Sequence, residues 1–134
     1  MNYEFPNSTD KQEDGNWLVI YLKVDCQFGQ WQAVHPSLLT WNIQELIDWF
    51  SDLSNNNSVK WTDQEFIEPN ISFHLLNSYN ADIKQIKIKF DLELRPKNAN
   101  DEIEYFINFQ ADSMKLKEIS NQLGEELKKF PERR

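Results

Sequence analysis

Residues 83–94 read IKQIKIKFDLEL, and their alternating pattern decides the fold. Apolar side chains fall on every second position, at Ile86, Ile88, Phe90, Leu92 and Leu94. Because successive side chains of a β-strand point to opposite faces, such a strand has one apolar face and one charged face. A helix would spread both kinds around its circumference. We therefore predict a strand that is covered on one side and exposed on the other, as is common in antiparallel sheets.

Other segments share this alternation. They are residues 16–26, 30–34, 61–67, 70–76 and 103–109. Gly29 permits a tight turn between the first two segments, which predicts a hairpin. Polar turns at 77–82 and 97–101 join the last three predicted strands into a meander. A residue before proline is pushed toward an extended conformation, so we expect the chain to leave the sheet at His35.

A first amphipathic helix is predicted at residues 42–53, where apolar side chains recur at helical spacing. Asn42 and Glu45 have the spacing of a capping box, in which the Asn42 side chain accepts a hydrogen bond from the amide of Glu45. Thr40 is an alternative cap. The Ser and Asn residues that follow compete for backbone hydrogen bonds and end the helix.

A second amphipathic helix is predicted at residues 113–129, with its apolar side chains in one stripe. Asp112 or Ser113 caps its first turn. Lys128 and Lys129 stand at the other end, where positive charge is favoured by the helix dipole.

These elements predict an α+β fold, in which a mainly antiparallel sheet of five to six strands packs against two helices. A chain of 134 residues fits one domain with one core, which we assign to residues 16–134. Residues 1–15 contain acidic and polar side chains without periodicity, so we expect a flexible acidic tail.

The net charge indicates which classes of partner the protein can bind. The chain has 22 acidic and 14 basic residues, for a formal net charge of -8. Nucleic-acid binding needs clustered Lys and Arg, so nucleic acid is excluded as a partner, whereas a basic protein surface suits this charge. No segment approaches the ~20 apolar residues of a membrane span. With one cysteine, Cys26, and no predicted signal peptide, we expect a reduced, cytoplasmic protein.

Residues of the types that carry catalysis or bind metals are few. His35 and His74 are the only histidines, and the three glycines are too far apart for a phosphate-binding loop. Cys26 shares the apolar face of its strand and is expected in the core. We therefore predict no catalytic residue, no cofactor and no metal site.

Five acidic residues are the candidates for binding a partner. They are Asp48, Asp52, Asp63, Glu65 and Glu68. Each is expected outside the apolar stripes, and the only basic residue near them in sequence is Lys60. Four tryptophans could form an aromatic platform for a ligand, but large aromatics more often seal the junction of sheet and helix, which we expect for most of them.

Four short motifs span the predicted domain. They are Asn16, Trp17, Leu18 and Val19; Leu38, Leu39, Thr40 and Trp41, leading to Asp48, Trp49 and Phe50; Glu68, Pro69, Asn70, Ile71, Ser72 and Phe73; and Lys129, Phe130 and Pro131. In order and spacing they resemble the WapI family of bacterial immunity proteins. The resemblance covers residues 16–133 and leaves out the predicted tail.

The resemblance implies an immunity protein that binds a cognate secreted or contact-dependent toxin and neutralises it by blocking its surface. Such a protein needs no chemistry of its own, and an acidic surface would steer it onto a basic toxin domain. The alternative is a small-ligand-binding domain or a hydrolase-type enzyme that uses surface carboxylates. That alternative requires a concave polar site.

Overall fold

The structure is a computed structural model that describes residues 1–78 and 82–134. In these residues seven strands form two antiparallel sheets, and the predicted α+β class is confirmed. The first sheet, in the order β1-β2-β3, contains β1 (Asn2–Tyr3), β2 (Trp17–Cys26) and β3 (Gly29–Leu39). The second, in the order β4-β5-β6-β7, contains β4 (Asp63–Gln64), β5 (Ile71–Ser78), β6 (Lys84–Phe90) and β7 (Tyr105–Ala111). The predicted strands are thus divided between two sheets.

Three helices complete the described part of the chain. They are the one-turn α1 (Glu13–Asn16), α2 (Thr40–Ser54) and α3 (Ser113–Lys129). The two long helices lie at the predicted positions. Because α2 follows β3 directly, the chain leaves the first sheet through a helix before it begins the second. The predicted turn at 77–82 includes residues 79–81, which lie outside the described residues, and β5 extends into its beginning.

The strand predicted at residues 83–94 ends four residues early. After Phe90, the Asp91 side chain accepts a hydrogen bond from the Leu92 amide at 2.8 Å, and Leu92 adopts a positive φ of 48°. The chain then makes a 3-10 turn over Leu92–Leu94, which exposes Leu92 and buries Leu94. The apolar alternation in the sequence extends beyond Phe90 because the turn, like a strand, places only one of its two leucines in the core.

The hairpin of β2 and β3 is longer than predicted. Gly29 begins β3 with a φ of 109°, a conformation that favours glycine. The chain does not leave the sheet at His35: Pro36 lies inside β3, opposite Val19. A bulge absorbs Ser37, since Leu18 pairs with Leu38 while Val19 pairs with Pro36. Pro36 has no amide hydrogen to donate to the ladder, and the bulge beside it interrupts the regular hydrogen bonding at this point.

The start of α2 reverses the predicted capping box. Helix α2 begins at Thr40, and the side-chain oxygen of Asn42 accepts from the amide of Leu39 at 2.9 Å. The Thr40 hydroxyl donates to the side chain of Asn16 at 3.0 Å, so Thr40 is not the cap either. In α3, by contrast, the predicted cap is confirmed, since the Asp112 side chain accepts from the amide of Lys115.

One hydrophobic cluster joins both sheets and the two long helices. Trp31 of β3 packs edge-on against Phe90 of β6 and against Tyr105 of β7, and its indole N–H donates to the carbonyl of Leu94. Phe50 of α2 contacts Phe73 of β5, with ring centroids 6.0 Å apart. Large aromatic side chains thus join the two sheets to each other and to α2 within a core that also contains many aliphatic residues.

Residues near the two ends of the chain are in contact. Strand β1 pairs with β2, and the Arg133 guanidinium donates to the carbonyls of Phe5, Pro6 and Ser8. The fully buried Asn16 accepts from the amide of Arg133 at 2.7 Å. Residues 1–15 thus contain regular structure and tertiary contacts, neither of which the sequence indicated; the mobility of this segment stays a prediction.

Candidate functional site

An acidic groove of about 550 Å³ lies between the outer face of α2 and residues 59–65. Its carboxylates come from Glu45, Asp48, Asp52, Asp63 and Glu65. The indole of Trp61 lies among them and is 63% exposed. The groove therefore combines concentrated negative charge with an exposed aromatic side chain, and we refer to it below as the acidic groove.

The local structure explains why these residues meet. Glu45, Asp48 and Asp52 are spaced i, i+3 and i+7, so they lie along one face of α2. The indole N–H of Trp49, a buried residue of the same helix, donates to the carbonyl of Trp61 at 3.0 Å. This bond fixes the segment before β4 against the helix. Asp63 then begins β4, which pairs with β5.

Little in the structure neutralises the charge of the acidic groove. Asp48 accepts a hydrogen bond from Gln44, and Asp52 a longer one of 3.4 Å from Asn57. In the part of the chain that the structure describes, neither residue forms an ion pair. Lys60 is the groove's one basic side chain, and its ammonium group lies 5.5 Å from the centre of the Trp61 ring. The groove is therefore strongly electronegative.

The structure brings together four of the five acidic residues that the sequence singled out. Asp48, Asp52, Asp63 and Glu65 line the groove, while Glu68 lies outside it. Sequence reasoning left Glu45 out of this set, although its spacing of three from Asp48 placed it on the same helical face.

Trp61 was also missed, because tryptophans were expected to seal the junction of sheet and helix. That expectation describes Trp31 and Trp49, which are both buried. Trp61 instead projects from the chain just before β4, where only its backbone carbonyl is held by α2.

A hydrogen-bonded trio borders the acidic groove. His74 of β5 lies opposite Asp63 of β4, and its Nδ1 is 2.9 Å from the Asp63 carboxylate. Its Nε2 is 2.8 Å from the hydroxyl of Ser72. The order Ser–His–Asp is that of a hydrolase triad, but such enzymes also need hydrogen-bond donors aimed at a developing oxyanion. Ser72 lies within a strand, opposite Lys89 of β6, and not at a turn that would point backbone amides toward its hydroxyl, so the trio alone does not indicate hydrolysis.

A second polar cluster lies under the end of β6. The Asn70 side chain donates to the Glu93 carboxylate at 2.7 Å, and Nε2 of His35 lies 3.8 Å from the same carboxylate. A hydrogen bond from the backbone amide of Glu93 itself, followed by the bond from Asn70, lowers the pKa of Glu93. The side-chain oxygen of the fully buried Asn70 has no protein partner within the described residues. An acceptor of this kind is commonly satisfied by an internal water, so we assign this cluster a structural role.

The residues that carry the family resemblance lie mainly in the scaffold. Asn16 and Thr40, from two different motifs, are hydrogen-bonded to each other and fully or almost fully buried. The carbonyl of Pro131, from a third motif, accepts from the hydroxyl of Tyr3. These contacts connect α1 with α2, and β1 with the segment after α3.

No helix in residues 1–78 or 82–134 has both the length and the apolar character needed to cross a bilayer.

Comparison with known proteins identifies the family. No curated protein matches the chain. Residues 1–131 match the model of the Immunity protein WapI-like family, a match that includes the first 15 residues, which the four motifs left out. The chain therefore belongs to the WapI-like family of immunity proteins.

Proposed function

We propose that this protein neutralises a cognate toxin by seating a basic surface of the toxin domain in the acidic groove. Family membership supports an immunity function in general. The observation that carries the proposal is the convergence of five carboxylates around an exposed tryptophan. In this proposal the protein blocks the toxin sterically and is not an enzyme.

The chemistry of the groove fits such a partner. Complementary charge accelerates diffusional encounter, and charges at the rim of an interface act mainly on the association rate. Exposed aromatic residues supply a different contribution, since tryptophan is enriched among the residues that dominate binding energy. Asp48, Asp52 and Glu65 would therefore steer the toxin, and Trp61 would anchor it.

The test is association with the cognate toxin domain, measured by surface plasmon resonance. Charge reversal by Asp48→Lys, Asp52→Lys and Glu65→Lys together should slow association by about tenfold or more at low salt. The defect should shrink as salt is raised, because ions screen exposed charges. Trp61→Ala should instead act mainly on dissociation.

The matched control reverses three glutamates on the outer face of α3. The substitutions Glu118→Lys, Glu125→Lys and Glu126→Lys change the net charge by the same amount but lie outside the acidic groove. If both triple variants slow association equally, net charge alone is responsible and the groove is not the binding surface. If the toxin domain does not bind at all, the proposed mechanism is wrong.

The same pair of variants can be tested in cells that produce the toxin. The α3 variant should restore growth as well as the unchanged protein does, and the groove variant should not. The proposal places the protein in the cytoplasm, in keeping with its single, half-buried Cys26. The alternative of a ligand-binding domain or hydrolase predicts a bound small molecule or turnover, and neither would depend on the toxin.

A further inference from the structure

Three side chains with metal-binding chemistry meet at the β4 edge of the second sheet. Asp63 and Glu65 are two residues apart, and His74 lies across from Asp63 on β5. One ligand atom from each lies within 4.8 Å of the other two. The imidazole is only 16% exposed, whereas the Asp63 carboxylate is 58% exposed. The histidine is therefore held in place, and the carboxylates are free to adjust.

Ser72 orients the imidazole as an outer partner of a metal site would. A histidine that binds a metal usually donates its other ring N–H to an oxygen, which fixes the tautomer. Here Nε2 lies 2.8 Å from the Ser72 hydroxyl, which can accept its hydrogen. The Nδ1 lone pair then faces the Asp63 carboxylate at 2.9 Å. Two lone pairs at this distance repel each other unless a proton or a cation lies between them.

The lysine opposite His74 is already paired with a carboxylate. Lys87 is opposite His74 in the β5–β6 ladder, but its ammonium group pairs with Glu104 and lies 4.8 Å from the centre of the Phe106 ring. The hydrogen bond from Lys87 lowers the pKa of Glu104, so this pair keeps opposite charges at neutral pH. A cation beside His74 would not face an unpaired lysine at this position.

The ligand set favours zinc over calcium and magnesium. One imidazole nitrogen with two carboxylate oxygens suits Zn²⁺, whereas Ca²⁺ and Mg²⁺ prefer oxygen ligands alone. Zinc bond lengths of ~2.0 to 2.2 Å bring tetrahedral ligands to within about 3.4 Å of one another. Nδ1 of His74 and the Asp63 carboxylate, 2.9 Å apart, are already this close, so most of the adjustment would fall on the exposed side chain of Glu65. Three protein ligands would leave one position open.

We propose that Asp63, Glu65 and His74 bind one zinc ion, with His74 coordinating through Nδ1 and Ser72 accepting the hydrogen of Nε2. The proposal does not rest on the toxin-binding function, and His74 separates the two because it is not among the groove residues. Since Asp63 and Glu65 belong to both sites, bound zinc would reduce the negative charge of the acidic groove.

Isothermal titration calorimetry with zinc chloride tests this site on the full chain, without an affinity tag that contains histidine. The unchanged protein should bind one zinc ion. His74→Ala should weaken binding by at least tenfold, and Ser72→Ala should weaken it by about tenfold or more through loss of the outer partner. His35→Ala is the matched control and should leave the affinity unchanged, since His35 lies in β3 beside Glu93.

Two outcomes overturn the proposal: the unchanged protein takes up no zinc, or both histidine variants weaken binding equally, which would indicate adventitious binding. Circular dichroism checks that each variant is folded. If His74→Ala does not fold, the pair Asp63→Asn and Glu65→Gln decides, because both side chains are exposed. Loss of binding in that pair supports the site, and unchanged binding overturns it.

Nuclear magnetic resonance of the imidazole nitrogens is the sharper readout, because the chain has only two histidines. Zinc should shift Nδ1 of His74 and leave the ring of His35 unaffected. Coordination through Nε2 would contradict the geometry proposed here, since that nitrogen faces Ser72.

Discussion

The outer faces of α2 and α3 are both rich in acidic residues, but they differ in how many of these residues form ion pairs. On α3, three glutamates each pair with a lysine three residues away. The pairs are Lys115 with Glu118, Glu125 with Lys128 and Glu126 with Lys129, at 3.6, 2.9 and 3.3 Å. On α2, no ion pair forms along Glu45, Asp48 and Asp52 within the described residues.

The helix dipole sharpens this difference. Lys128 and Lys129 occupy the last turn of α3, where positive charge is favourable. The last turn of α2 contains no basic residue and includes Asp52, which also stands four residues after Asp48. Like charges at that spacing destabilise a helix by about 0.2 to 0.5 kcal/mol. The α3 surface follows the rules of helix stability, whereas the α2 surface departs from them where a binding site is proposed.

The largest expected effects concern the inner faces, where the two helices should behave alike. Leu46 of α2 and Leu116 of α3 are both almost completely buried. Leu46→Ala and Leu116→Ala should each lower the free energy of unfolding by about 2 to 5 kcal/mol, through lost burial and the cavity left behind. Urea denaturation measures both. A small effect for one helix alone would show that it contributes little to the core.

A smaller effect, of opposite sign, is expected from the outer face of α2. Asp52→Asn should raise the free energy of unfolding by roughly 0.3 to 1 kcal/mol at low salt, because it removes repulsion from Asp48 and from the C-terminal dipole. Thermal unfolding at low and high salt tests this, and the gain should fall as salt rises. A loss of stability would mean that the charge of Asp52, which strengthens the hydrogen bond from Asn57, contributes more than the repulsion costs.

The smallest effect is expected at the corresponding position of α3. Lys128→Gln should lower the free energy of unfolding by about 0.3 to 0.5 kcal/mol, since it removes an exposed ion pair and a favourable charge at the helix end. The same thermal unfolding measurement applies. If Asp52→Asn and Lys128→Gln shift stability in the same direction, the contrast between the two helices is not electrostatic.

Much of the fold could be predicted from periodicity, because burial on one face imposes a spacing that the sequence displays directly. The helices and the central strand are of this kind. Boundaries were harder: the chain turns after Phe90 through the side chain of Asp91, and it stays in the sheet past Pro36 through a bulge. Both depend on single local contacts that a repeating pattern does not contain.

The candidate site was partly predictable for a similar reason. Acidic residues outside the apolar stripes are visible in the sequence, and four of the five lie in one groove. The bond that fixes Trp61 against α2, and the pairing that brings His74 to Asp63, join residues 11 or 12 positions apart. Such contacts follow from the tertiary arrangement, so no short motif indicated them.

The exposure of Trp61 makes the protein its own fluorescent reporter. Trp31 and Trp49 are buried and Trp17 and Trp41 are half-buried, so the indole at position 61 is the most exposed of the five to water. A partner that covers the acidic groove would exclude water from this ring and shift its emission to shorter wavelength. Because the other four rings are already buried or half-buried, most of the shift would come from Trp61, and Trp61→Phe would remove most of it. Occupancy of the groove can thus be followed in solution without attaching any label.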